Sequence, residues 1–147
     1  MKILVVDDSK LNRKFLVALL VKLEGIEACQ IHEAGDGQEA LDSVVSAYEQ
    51  DDPFSVVLLD IKMPRMNGLN CLEGIRLYEQ GLGLASGLKV IMVSALGDTG
   101  HVGSAFNIGC DHFLVKPIRL DHLKSAFQEH GLRFKSWVAF LKRSVAS

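Results

Sequence analysis

Three acidic residues, a hydroxyl and a lysine each stand directly after a short apolar run. Asp7 and Asp8 follow Ile3–Val6, Asp60 follows Val56–Leu59, Ser94 follows Leu88–Val93, and Lys116 follows Val115. Three carboxylates gathered in one partly buried site would repel one another strongly, so something divalent must offset them. Hard oxygen donors that leave room for water suit Mg2+ (or Mn2+) better than zinc. A cation, a lysine and a hydroxyl together are counter-charges for a phosphoryl group, and one carboxylate can be its acceptor. Taken singly, these residues read more plainly. Asp7-Asp8 before Ser9 is an ordinary acidic helix start with its cap, and Lys116 is a solvated lysine. Their joint occurrence after four apolar runs is what points to chemistry.

The five positions converge only if the runs before them are strands of one sheet. Ile3–Val6 and Val56–Leu59 are continuous apolar runs, the pattern of strands buried on both faces. Between them lies a helix after Ser9, with Leu11, Phe15, Ala18 and Leu19 on its apolar face and its end near Gly25. A weaker strand over 29–34 and a helix with Ala40, Leu41, Val44 and Tyr48 follow, broken at Asp51-Asp52-Pro53. Beyond Asp60, the spacing predicts a helix carrying Leu69, Leu72, Ile75 and Leu77, the strand 88–93, a glycine-rich helical stretch, the strand 112–115 and a last helix from about Arg119 to His130. Strict strand–helix alternation means an α/β fold, a parallel sheet with right-handed crossovers and helices on both faces. In such sheets ligands bind outside the carboxyl ends of the strands.

With 147 residues, 48% hydrophobic and 23% charged, the chain suits one domain with a sizeable core. A net charge of −2 offers no basic excess for nucleic acid. No apolar run is long enough to span a bilayer, and the start, with two acids at 7 and 8, is not that of a signal peptide. Cys29, Cys71 and Cys110 are odd in number and widely spaced, which favours a reducing, cytoplasmic setting and small buried hydrophobes. His32, His101, His112, His122 and His130 show no metal-ligand spacing, so packing or surface roles are expected. Residues 131–147 hold Arg133, Lys135, Lys142, Arg143 and no acid, which makes a basic tail on an acidic body with Gly131 as the seam.

Val6-Asp7-Asp8-Ser9, Asp60-Ile61-Lys62-Met63-Pro64-Arg65-Met66-Asn67-Gly68, Val93-Ser94-Ala95 and Phe113-Leu114-Val115-Lys116-Pro117 come in order. Together they resemble the receiver domain of two-component response regulators, over residues 1 to about 130. The resemblance implies a flavodoxin-like, doubly wound five-stranded parallel sheet of order 2-1-3-4-5. It implies that Asp60 is the phosphoacceptor for a histidine kinase or histidine phosphotransfer protein. Asp8, Asp7 (mostly through water), Asp60 and the backbone carbonyl of Lys62 would hold the Mg2+. Lys116 would pair with Asp60 and then with the phosphoryl oxygens, Ser94 would bond the phosphoryl group, and Lys116-Pro117 would be a cis peptide. Phe113 stands at the switch aromatic, commonly a tyrosine. Such a protein catalyses only its own phosphorylation and dephosphorylation, by charge placement around an in-line transfer, and is no enzyme in the ordinary sense. Two other readings fall away. A haloacid-dehalogenase-like phosphatase would want an acid two residues after the nucleophile, where this chain has Lys62. A flavodoxin-like flavin binder would want a phosphate-cradling loop where Asp7 and Asp8 stand.

Four finer expectations follow. The resemblance implies that the side chains two positions after Asp60 and Ser94, here Lys62 and Leu96, flank the path of a hydrolytic water; neither can position it or take its proton, so self-dephosphorylation should be slower than with acidic or amide groups at these two sites. The output would be a protein partner on the face of the fourth helix, fifth strand and fifth helix, with no direct DNA contact and no membrane. The segment 97–109, with Gly97, Gly100, Gly103 and Gly109, should be the least stable helix of the body and the one remodelled on activation. Finally, Leu120, Phe127, Phe134 and Leu141 recur at sevens, with Leu123, His130 and Trp137 three residues after the first three. A helical tail would then cover its own domain, a partner, or a second copy as a homodimer through the last helix and tail. Whether the chain acts alone or as the receiver module of a longer one stays open at this stage.

Overall fold

Strands that are apolar on both faces need helices on both faces, and the computed structural model, which describes residues 1–132, supplies them. The strands are β1 (Ile3–Val6), β2 (Ile31–Ala34), β3 (Val56–Asp60), β4 (Lys89–Ser94) and β5 (His112–Val115). They alternate with α1 (Lys10–Leu20), α2 (Gly37–Glu49), α3 (Gly68–Gly81), α4 (Val102–Ile108) and α5 (Leu120–Glu129). All pairings are parallel and the order is β2-β1-β3-β4-β5. The expected α/β fold and strand order are therefore present.

Side-chain alternation along the strands splits the core. Ile3, Val5, Leu58, Ile91 and Val93 pack with Leu16, Leu19 and Leu20 of α1 and Leu123, Ala126 and Phe127 of α5. Leu4, Val6, Val57, Leu59 and Met92 pack with Ala40 and Val44 of α2, Leu72 and Ile75 of α3, and Ala105 of α4. Two helices thus cover one face and three the other.

Several element details differ from the expectation. The buried stripe of α1 is Leu16, Leu19 and Leu20, whereas Leu11 and Phe15 are 77% and 51% exposed. Two apolar stripes compete on this helix, and the denser one, continued by Leu23, takes the core. Leu77 of α3 also faces solvent. Helix α1 stops at Leu20, short of Gly25, and residues 28–30 form a 3-10 turn ahead of a shorter β2. The glycine-rich stretch is a 3-10 turn, Leu96–His101, running into the seven-residue α4.

Helix α5 does not run on through the seam. Gly131 has φ +71°, its N–H bonds the Gln128 carbonyl at 3.3 Å, and the Leu132 N–H bonds the Phe127 carbonyl at 2.9 Å. That is a Schellman stop, with Leu132 tucked into the core. The heptad spacing is therefore interrupted at 131, and Leu123 and Phe127 pack against the sheet. The expected helical tail, with Phe134, Trp137 and Leu141, lies outside the described residues.

At the amino-terminal ends of the strands, Arg76 of α3 is a polar staple. It donates to the carbonyls of Gly109 (2.9 Å) and Leu88 (2.8 Å), and to Glu79 (2.6 Å) and Asp111 (3.0 Å). Glu79, only 4% exposed, also accepts from the Leu88 N–H at 2.7 Å and from the Tyr48 hydroxyl.

Candidate functional site

Strand register brings the acids together. Val6 lies opposite Leu59, so the next residues, Asp7 and Asp60, leave neighbouring strands side by side. This is where chain connections diverge to opposite halves of the sheet, the crevice expected to bind ligands. Carboxylate oxygens of Asp7, Asp8 and Asp60 all lie within 4.8 Å of one another. Asp7 is fully buried and Asp60 is 7% exposed, while Asp8 is exposed to solvent.

Each buried oxygen has a defined partner. Asp7 Oδ1 accepts from the Ser9 N–H at 2.8 Å, and Ser9 in turn caps α1 through the Asn12 N–H. Asp60 Oδ1 accepts from the Ile61 N–H at 2.9 Å. Lys116 Nζ donates to Asp7 Oδ2 at 2.9 Å and to Asp60 Oδ2 at 3.3 Å, so one ammonium bridges the two buried acids. The Lys116-Pro117 peptide is cis, as expected.

Burial pushes the Asp60 carboxyl up to about 6; Lys116 pulls it down and Asp7 adds to the rise. Partial burial works against the Lys116 charge, yet the Asp7 and Asp60 contacts hold it above the usual ammonium range. The balance leaves more negative charge in the pocket than one lysine offsets, and three oxygen donors with one side open to solvent fit a hard divalent cation.

Of the remaining expected residues, Ser94 ends β4, the strand paired with that of Asp60. Ser94 is fully buried at the end of β4, its hydroxyl 3.4 Å from the Ala95 carbonyl. The Lys116 N–H bonds the Ser94 carbonyl at 2.7 Å, which ties the ends of β4 and β5. Phe113 is half-buried against the α2–α4 side of the core. Leu96 is 74% exposed. Lys62 pairs with Asp98 at 2.8 Å.

Two participants were missed in the sequence. Arg13 donates to the Asp7 carbonyl at 2.6 Å and to Glu33 at 3.0 Å, bracing the first strand end. Asp98 is buried beneath Lys62. Neither lies in a motif, though Arg13 is one helical turn beyond Ser9.

Backbone packing sets the acceptor loop. A Cβ added to Gly68 would meet the Asp60 carbonyl oxygen at 2.0 Å, and one added to Gly37 would meet the Met66 carbonyl oxygen at 2.3 Å. Side-chain-free starts of α3 and α2 therefore press directly on the loop that follows β3.

The chain belongs to the response regulator receiver domain family, whose pattern it matches over residues 3–128. Among curated relatives, the osmosensing histidine protein kinase SLN1 of Saccharomyces cerevisiae is 33% identical over 128 residues, 87% of this chain and 10% of the relative. The two-component response regulator ORR24 of Oryza sativa is 35% identical over 136 residues, 92% of this chain and 19% of the relative. The chain thus spans only a fraction of these proteins. Among solved structures, a chain of the CheX-CheY-BeF3-Mg2+ complex of Borrelia burgdorferi is similar at TM-score 0.75 and 30% identity, over 90% of each chain. The receiver domain of NtrX from Brucella abortus is similar at TM-score 0.68 and 31% identity, over 89% of this chain and 98% of that one. The fold and the signalling family are those expected from the motifs.

Proposed function

We propose that this chain receives a phosphoryl group on Asp60 from a phosphohistidine of a histidine kinase or histidine phosphotransfer protein, in a phosphorelay. The observation that carries the reading is the Lys116 bridge to Asp7 and Asp60 at 2.9 and 3.3 Å. An ammonium already shared with the acceptor can follow the charge onto phosphoryl oxygens as transfer proceeds.

Asp60 attacks phosphorus; the P–N bond to the donor imidazole breaks as the P–O bond to Asp60 forms. Lys116 stabilises the charge spreading over the phosphoryl oxygens, and the Ile61 N–H holds the acceptor carboxylate in aim. Asp7, Asp8, Asp60 and the Lys62 carbonyl would hold Mg2+ (or Mn2+), which supplies further neutralisation of the phosphoryl oxygens. Ser94 turns its hydroxyl from the Ala95 carbonyl to the phosphoryl group, and Phe113 moves inward behind it. The changed face of α4, β5 and α5 then meets a downstream protein.

A groove of about 370 Å3, lined by Phe15, Ala95, Leu96, Pro117 and Ile118, opens beside Lys116. The exposed Leu11, Phe15 and Leu96 extend that apolar surface. A phosphohistidine-bearing partner seated there would bring its imidazole to Asp60. A cytoplasmic setting suits the free Cys29, Cys71 and Cys110; no helix among the described residues is long and apolar enough to cross a membrane. Residues 131–147 would form a basic segment contacting a partner or a second copy, read by light scattering of a chain ending at 132.

The test of the main reading is incubation with acetyl phosphate and Mg2+, followed by intact-mass analysis. A gain of one phosphoryl group that chelator or Asp60→Asn abolishes is expected. Labelling that survives Asp60→Asn would overturn the assignment.

A further inference from the structure

Two of the five histidines, eighteen positions apart, meet at the far end of the sheet from Asp60. His112 opens β5 and His130 closes α5, with His112 Nδ1 3.0 Å from His130 Nε2. Glu129 adds a carboxylate oxygen 3.7 Å from the same Nδ1. The three donor atoms lie within 4.8 Å of one another. The rings are nearly perpendicular, at 77°, so they approach through nitrogens and not through stacked faces.

We propose that His112, Glu129 and His130 form a second metal site, for a borderline divalent ion of the Zn2+ class, separate from the acidic pocket. Two imidazoles and one carboxylate are a donor set that zinc accepts, with water in a fourth position, and Mg2+ disfavours. Metal–nitrogen bonds of about 2.0–2.1 Å in a tetrahedron place donors about 3.3 Å apart. The observed 3.0 and 3.7 Å bracket that spacing. The carboxylate 3.7 Å from the same nitrogen completes a three-donor set with the two imidazoles.

The site is reachable, since the His112 and Glu129 side chains are 25% and 65% exposed. It is also framed by fixed elements. His112 is held in register against Ile91 of β4, and His130 sits at the Schellman stop of α5. A bound ion would pin the end of α5 to the start of β5, beside the Schellman turn at Gly131.

The test is titration of the untagged full chain with Zn2+, and with Co2+ read by its visible d–d absorption, in saturating Mg2+. One equivalent, a tetrahedral Co2+ spectrum and a higher melting temperature with Zn2+ are expected. His130→Gln and His112→Gln should each weaken binding by at least about 10-fold, while Asp8→Asn leaves it unchanged. If either histidine variant fails to fold, Glu129→Gln, on an exposed side chain, carries the same expectation. Equal Zn2+ affinity in parent and Gln variants, or loss of binding in Asp8→Asn alone, would overturn the site. So would an octahedral Co2+ spectrum.

Discussion

Lys62 and Asp98 tie the segment after β3 to the segment after β4: Nζ lies 2.8 Å from Oδ1, with the lysine side chain 74% exposed and the aspartate 9%. The ammonium expected to flank the path of the hydrolytic water is thus paired with a carboxylate. Lys62→Asn combined with Leu96→Glu places groups able to position water on both flanks. Self-dephosphorylation should quicken by about tenfold, followed by release of inorganic phosphate. Asp98→Asn alone frees the ammonium to hold phosphoryl oxygens and should lengthen the lifetime a few-fold. A double variant with an unchanged or slower rate would refute the role given to these flanks.

Asp60 makes stability depend on pH. Its carboxyl is raised to about 6 by burial, with Asp7 adding to the rise against Lys116. A native-state value above the unfolded one means that the native state binds the proton more tightly. Stability is therefore gained at low pH and lost as pH rises from about 4 through about 6. Without metal at pH 7, Asp60→Asn should be more stable than the parent by about 1–3 kcal/mol. The gain should shrink toward zero near pH 4. Urea unfolding in chelator across that range checks both the sign and the window.

The Leu96–Ile108 stretch should exchange its amide hydrogens fastest among the described helical segments. Its α4 has seven residues and no side-chain cap, and a Cβ at Gly97, Gly100 or Gly103 would meet nothing within 4 Å. Gly103→Ala should accordingly stabilise the domain by about 0.5–1 kcal/mol and slow that exchange. Hydrogen exchange with and without beryllofluoride reads both effects. Protection equal to that of α1 in both states would contradict the expectation.

Arg76→Ala leaves the buried Glu79 without its cation and two carbonyls without a donor. A loss of about 3 kcal/mol is expected. Arg76→Lys should recover only part of it, because a single ammonium cannot reproduce the forked contacts. Urea midpoints measure the cost. Beryllofluoride binding by the folded fraction should persist, since the staple lies at the opposite end of the sheet.

The sheet was legible because β1, β3 and β4 carry unbroken apolar runs that leave no alternative to burial on both faces. The site was legible because its acids and lysine follow those runs directly, so strand register alone brings them together. The buried face of α1 was not. Leu11, Phe15 and Leu19 satisfy helical spacing as well as Leu16, Leu19 and Leu20 do, and only the covered sheet decides between them. Asp98 and the His112–His130 pair were likewise hidden, because their meaning lies in contacts between segments that no local pattern links. The end of α5 turned on one dihedral angle at Gly131, which a heptad count does not register.

The two glycines pressed against the acceptor loop have a genetic consequence. Every first- or second-base change in a glycine codon either installs a Cβ or ends translation. At positions 68 and 37 that atom would overlap the carbonyl oxygens of Asp60 and Met66. Third-base changes are silent, so neither position has a neutral one-step amino-acid replacement, and drift in this gene can alter the surface around the acceptor far more freely than these two helix starts.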